Sequence, residues 1–160
     1  MQCVDYARWE RAALSGERLD RLTGYWRDRL AGASGPPLPT DFPRPRRPRF
    51  EGAQEVFDLP ADVRELCRAT DTTPHMVYLA AFQLWLARHT GSPDVVTGSV
   101  VSGRGRAEVA DLIGHFVNTV AVRTDLSGAR TFTDALLRVR GACWARTSTR
   151  SCRSRCSPRG

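Results

Sequence analysis

Thr97-Gly98-Ser99-Val100-Val101-Ser102-Gly103-Arg104-Gly105-Arg106-Ala107-Glu108-Val109-Ala110-Asp111-Leu112-Ile113-Gly114-His115-Phe116-Val117-Asn118-Thr119-Val120-Ala121-Val122-Arg123 is the stretch whose reading decides the fold. The β-branched positions Val95, Val96, Val100 and Val101 predict a buried strand. Gly103-Arg104-Gly105-Arg106 breaks it, because glycine adds nothing to a packed strand and accepts unusual backbone angles. A short helix is expected from Ala107, with Val109, Leu112 and Ile113 on one face and Gly114 to end it. A second strand is expected from Phe116, with Val117, Val120 and Val122 as its apolar positions.

Upstream, residues 1–32 predict helix. Tyr6, Trp9, Leu14, Leu19, Leu22, Tyr25, Trp26 and Leu30 recur at helical spacing, with a break near Ser15-Gly16 and a stop at Gly32. Core packing is the reading for these aromatics. Residues 33–49 carry Pro36, Pro37, Pro39, Pro43, Pro45 and Pro48. Proline fixes φ and removes donors, so this is extended connector rather than helix or central strand. A ligand for a proline-reading module, or a phosphate grip by Arg44, Arg46, Arg47 and Arg49, are the weaker alternatives.

Gln54 to Leu59 predicts a short strand, and Pro60 opens a helix whose buried face is Val63, Leu66 and Cys67. Thr73-Pro74 starts a stronger helix, which runs to about Thr90 and ends at Gly91. Met76, Val77, Leu79, Ala80, Phe82, Leu84, Trp85 and Leu86 make it apolar on most sides, which predicts burial between layers. After Asp125, Thr131 caps a last helix with Phe132, Leu136, Leu137 and Val139 apolar.

The stretch resembles condensation domains of nonribosomal peptide synthetases. That family carries Gly-x-x-x-x-Gly-Arg-x-Arg-Pro-Glu, then Leu-Ile-Gly-x-Phe-Val-Asn-Thr and a strand ending in Arg-x-Asp. The matching residues are Gly98, Gly103, Arg104, Arg106, Glu108, Leu112, Ile113, Gly114, Phe116, Val117, Asn118, Thr119, Arg123 and Asp125. Ala107 stands where the family has proline, and His115 where it has an aromatic or proline. Further matches are Gln2, Asp5, Tyr6, Ala7 and Trp9; Tyr25-Trp26 with Leu30-Ala31-Gly32; Leu38-Pro39-Thr40-Asp41 and Pro43-Arg44-Pro45; Thr73, Ala80, Ala81 and Phe82. The resemblance ends near Arg140. A first methionine inside a family motif suggests a beheaded protein.

The implied fold is α/β: a partial chloramphenicol-acetyltransferase-like fold, a mixed sheet packed with helices, with an incomplete second lobe. Residues 1–140 form the partial domain, divided into a helical lead-in (1–32), the connector (33–49) and the α/β portion (50–140). The implied activity is amide formation between aminoacyl or peptidyl groups held as phosphopantetheine thioesters on carrier proteins. The resemblance implies no intrinsic cofactor. Partners are peptidyl or acyl carrier protein domains, adjacent synthetase domains, or a separately encoded first lobe.

The family's His-His-x-x-x-Asp-Gly, whose second His orients or deprotonates the amine, is absent, so no catalytic residue is assigned and the chain alone is expected to be inactive. His75 and His89 have core or helix-end roles; His115 is the best placed for chemistry, but it matches a non-catalytic position. The resemblance implies structural or tunnel-lining roles for Arg104, Arg106, Glu108, Gly114, Phe116, Asn118 and Thr119. Arg104, Arg106 and Glu108 pin the loop as an ion cluster, with a carrier phosphate as the other reading. Asn118 bonds backbone at a strand start. The alternatives are a non-catalytic module that docks a carrier or completes a first lobe, and a piece of a related acyltransferase or epimerisation domain. A truncated half-lobe would leave sheet edges unpaired and the apolar helix without its second cover, which predicts marginal stability and aggregation.

The 160 residues suffice for one core, and 41% are hydrophobic. No apolar run reaches the length of a membrane span and no signal-peptide layout opens the chain, which predicts a cytoplasmic protein. The net charge of +7, all arginine with no lysine, invites nucleic acid. Its distribution argues against it: residues 141–160 hold Arg146, Arg150, Arg153, Arg155 and Arg159 with no acid, leaving 19 Arg against 17 acids elsewhere. Cys3 and Cys67 in the body and Cys143, Cys152 and Cys156 in the tail have no zinc-site spacing, and five cysteines suggest reduced thiols. The tail is expected to be disordered and the product of a frameshift. Residues 142–154, back-translated with GC-rich codons and read two nucleotides on, allow the family's continuation. A basic arm for RNA or membrane is the alternative.

Overall fold

The structure is a computed structural model that describes residues 2–35, 38–43, 45–47, 51–58 and 62–147, without the side chains of 146 and 147. Its centre is an antiparallel pair, β1 (Asp94–Val101) and β2 (Asn118–Asp125), in register from Asp94 opposite Asp125 to Val101 opposite Asn118. Alternate residues of each strand point to one face. Val95, Ser99, Val120, Val122 and Thr124 are the buried positions.

Helices α4 (Pro74–Thr90) and α5 (Phe132–Thr147) cover the pair. Met76, Val77, Leu79 and Ala80 pack with Val122, Leu136, Val139, Ala142 and Cys143. Each fully buried Leu or Val here contributes about 2 kcal/mol. Leu86, Val95, Leu126 and Ala135 form a second cluster. The short α3 (Arg64–Thr70) adds Cys67 to the first. Upstream, α1 (Cys3–Ala13) and α2 (Gly16–Leu30) break at Ser15-Gly16 as the pattern predicts, and Leu22 and Trp26 of α2 pack on Val120.

Both expected caps are present. Thr73 Oγ1 accepts from the Met76 amide at 3.3 Å, with Pro74 in the first turn. Thr73→Ala removes that acceptor and is expected to cost about 1 kcal/mol, read as a lowered urea midpoint with unchanged slope. At α5, Thr131 Oγ1 accepts from the Asp134 amide at 3.1 Å, and the Asp134 carboxylate accepts from the amides of Thr131 (3.0 Å) and Arg130 (3.1 Å).

Five expectations are corrected. The helix from Ala107 is a single 3₁₀ turn, Ala107–Val109, and Ile113 is 97% exposed. β2 begins at Asn118, not Phe116, because Phe116 is buried in the loop that precedes the strand. Residues 54–58 form no strand; Val56 and Phe57 are exposed with no partner strand among the described residues, and Leu59 lies outside them. The helix expected from Pro60 starts at Arg64, Pro60 itself lying outside the description. The chain does not leave the core at 141: α5 continues to Thr147, and Ala142 and Cys143 are buried in the main cluster. Of residues 142–154, on which the frameshift expectation rests, 142–147 are the end of α5 and 148–154 lie outside the described residues.

α4 is also not covered on all sides. Tyr78, Phe82 and Trp85 stay 39%, 50% and 48% exposed, while the polar Gln83 is fully buried. Its amide nitrogen donates to Thr97 Oγ1 at 2.9 Å and to the Val122 carbonyl at 3.2 Å, tying helix to sheet.

Candidate functional site

Between β1 and β2 the chain makes a long loop, residues 102–117, and Arg104 is its anchor. One guanidinium nitrogen donates to the carbonyls of Val109 (2.7 Å), Ala110 (3.2 Å) and Leu112 (2.8 Å), and the other to that of Gly114 (3.2 Å). Two of these carbonyls, those of Val109 and Ala110, are acceptors that an α-helix from Ala107 to Gly114 would have used. A charge-assisted donor that takes them together outcompetes single amide donors, and this is why the expected helix stops after one turn. The same guanidinium lies 4.4 Å from the centroid of the Phe116 ring. Arg104 therefore does pin the loop, through carbonyls rather than through an ion pair.

Two glycines permit the fold-back. Gly103 has φ +64°, and a Cβ there would overlap the Phe116 carbonyl oxygen. At Gly114 a Cβ would meet Cys3 Sγ at 2.8 Å, so α1 rests directly on the loop.

Arg106 and Glu108 do form the expected ion pair, at 2.9 Å, with both side chains about half exposed. The Arg106 hydrogen bond is the main reason the Glu108 carboxyl is held below its ordinary range. Arg106 also lies 4.5 Å over the ring of Trp9, which is 42% exposed and not the core residue its spacing suggests. Tyr6 meets Phe116 edge-on at 5.2 Å. Tyr6, Trp9, Arg106 and Phe116 line a cleft of about 290 Å³ between α1 and the loop, with Leu14, Arg18, Gly105, Val117 and Asn118, and Glu108 lies outside its lining. Thr119 lies outside it, exposed on β2 opposite Val100.

A second cluster was only half visible in sequence. Arg123 grips Asp94 with Nε (2.9 and 3.0 Å) and Nη2 (2.6 Å), and its Nη1 donates to the carbonyls of Arg29 (3.0 Å) and Ala31 (2.7 Å). Arg29 answers by donating to the Arg123 carbonyl at 2.7 Å. The Asp94 hydrogen bond pushes the Arg123 guanidinium up from its ordinary value. The cation sits at the C-terminal end of α2, where the helix dipole favours it. Asp125 serves the turn instead, accepting from the Ser127 amide at 2.8 Å.

The histidines are scattered. His75, in the first turn of α4, has Nε2 3.1 Å from Ser99 Oγ; His89 Nδ1–H donates to the Trp85 carbonyl at 2.9 Å with its ring over Trp85; His115 is exposed in the loop. The structure brings no two of them together with a carboxylate. Among the described residues no three His, Cys, Asp or Glu are grouped to hold a metal ion, and no helix is long and apolar enough to cross a membrane.

Asp125 and Asp134 are held below their ordinary 3.8, Asp125 chiefly by the Ser127 hydroxyl and then its amide, Asp134 by the amides of Thr131 and Arg130. A folded pKa below the unfolded one gives stability that is complete above the unfolded value and is lost as pH falls through the folded value. Stability is therefore expected to hold from neutral pH down to about pH 5 and to drop below about pH 4. Denaturant midpoints across pH check this, and Asp134→Ala should lose less on acidification than the parent.

A hairpin covered by two helices, with an arginine-tied loop resting against α1, is the partial α/β arrangement that the resemblance to condensation domains implies. The solved structures agree. The chain matches SgcC5 from Streptomyces globisporus with a TM-score of 0.79 and 33% identity, over 93% of this chain and 34% of that one. It matches the X-domain from teicoplanin biosynthesis at 0.89 and 27%, over 99% of this chain and 37% of that one. A linear gramicidin synthase of Brevibacillus parabrevis is 45% identical over 145 residues, 88% of this chain and 2% of that protein. Residues 2–147 match the model of the condensation domain. The chain belongs to the condensation-domain family, and it spans about a third of the solved structures it matches. The likeness extends past Arg140, where the motifs alone were expected to end it.

Proposed function

We propose that this chain is part of a condensation domain whose whole protein forms amides between aminoacyl or peptidyl thioesters on carrier proteins, with phosphopantetheine brought in by those carriers. The observation that supports this most is the family match over residues 2–147, which includes the entire Arg104 loop. In this reading Arg104, Gly114 and Phe116 hold the loop's shape, while Arg106, Glu108, Asn118 and Thr119 face the substrate path. The general base comes from outside this chain, since the arrangement of His75, His89 and His115 supplies none. Adjacent synthetase domains or a separately encoded first lobe are the partners.

The test is to assay the locus-encoded protein that contains this sequence, and this chain by itself, with loaded donor and acceptor carrier proteins. Intact-mass detection of a dipeptidyl carrier, made by the former and not by the latter, is expected. A longer protein that binds both carriers and makes no product would sink the amide-forming role. Partner docking is the second reading, since the teicoplanin X-domain was also solved in complex with OxyB. Binding without turnover would favour it.

A further inference from the structure

We infer that the cleft between α1 and the hairpin loop is a binding site for a small planar aromatic anion, an aryl or indolyl monocarboxylate. The inference does not depend on the condensation reading, because it uses only groups that this chain places together.

Size comes first. A cleft of about 290 Å³ is at the small end of ligand sites and suits one fused ring system with a short side chain. Its lining is aromatic: Tyr6 lies 5.6 Å from Trp9 and 5.2 Å from Phe116, ring centre to ring centre. Trp9 keeps 42% of its surface exposed in spite of those neighbours, so aromatic area in the lining is still to be buried. Leu14 and Val101 extend the apolar wall, and Gly105 lines it with no side chain to obstruct a ring.

Charge sets the rest of the ligand. Arg106 is already committed to Glu108 and to the face of Trp9. Arg18 lines the cleft, is exposed, and makes no hydrogen bond or ion pair with the described residues. It is the cation left for a ligand anion. Glu10 also lines the cleft and has an interaction of its own. Its carboxylate disfavours phosphate and dianions, so one negative charge at the Arg18 end is what the site accommodates.

The experiment titrates the ¹⁵N-labelled chain with indole-3-propionate, with indole and tryptamine as neutral and cationic controls. Saturable shifts are expected at the Trp9 indole N–H and at the Gly103, Gly105 and Val117 amides. Arg18→Gln should weaken indole-3-propionate about fivefold and leave indole within about twofold. Ala13→Leu, which narrows the cleft from the α1 side, should weaken both ligands; Ala13→Ser, with little added volume, should weaken neither and controls for the helix. The inference is overturned if no shift saturates by about 10 mM, or if shifts gather on the exposed Phe82–Trp85 face of α4. Tryptamine binding as tightly as indole-3-propionate, or Arg18→Gln leaving the anion's affinity unchanged, would overturn it equally.

Discussion

Gly103→Ala is expected to lower stability by about 3 kcal/mol or more, among the largest effects of any single methyl group added to this chain. Two costs combine. The residue sits at φ +64°, where an alanine is disfavoured by about 1–2 kcal/mol. The new Cβ would also overlap the Phe116 carbonyl oxygen and stand 3.0 Å from its carbon, backbone atoms that cannot rotate aside. Relief requires the loop to open, which withdraws Phe116 from under Arg104 and lengthens the guanidinium's bonds to the carbonyls it gathers. Gly24→Ala is the control: it lies inside α2 with nothing within 4 Å of an added Cβ, and is expected to be neutral or to gain up to about 1 kcal/mol. Urea midpoints of the two variants decide the matter. A Gly103→Ala protein within about 1 kcal/mol of the parent would mean the loop does not turn as described.

Arg123→Ala should cost about 2–4 kcal/mol. The side chain is 21% exposed and its partner Asp94 36%, so the pair is neither a solvated surface bridge nor a fully buried one. Removing it strands the Asp94 carboxylate and leaves the Arg29 and Ala31 carbonyls without their donor. Arg123→Lys should recover little, because an ammonium is a point charge and cannot reproduce the fork that grips Asp94 while reaching α2. A double-mutant cycle with Asp94→Ala measures the pair directly. Coupling below about 0.5 kcal/mol would show that the two carbonyls, not the carboxylate, carry the effect.

The elements with strong local signals were legible: the break at Ser15-Gly16, the Thr73-Pro74 start, the Thr131 cap, and the β-branched strand as a strand, although of Val95, Val96, Val100 and Val101 only Val95 is buried. These depend on neighbours in sequence, and so a pattern reveals them. What was not legible depends on partners far away. Nothing near Ala107 says that Arg104 will take the carbonyls a helix needs. Nothing in an apolar run marks Gln83 as the buried link to Thr97, or Trp9 as a cleft residue rather than a core one. Arg123 and Asp125 were visible as a matching pair, but Asp94, the carboxylate Arg123 uses, sits a strand away. The unsupported strand at 54–58 failed for the same reason, since a strand needs a partner to satisfy its backbone.

The Arg123 clasp also bears on the order in which the chain assembles. It joins groups 92 and 94 positions apart, whereas the first rung of the hairpin, Val101 to Asn118, spans 17. Closing chain segments of those lengths costs about 4 and 2.5 kcal/mol respectively. The hairpin with α4 and α5 is therefore expected to organise first and the N-terminal helices to dock onto it afterwards. Substitutions at Arg123 then belong mainly to the unfolding rate and leave the folding rate nearly unchanged, which stopped-flow chevrons would resolve. A clasp made late is one released early, so α1 and α2 are the part of this molecule that opens first.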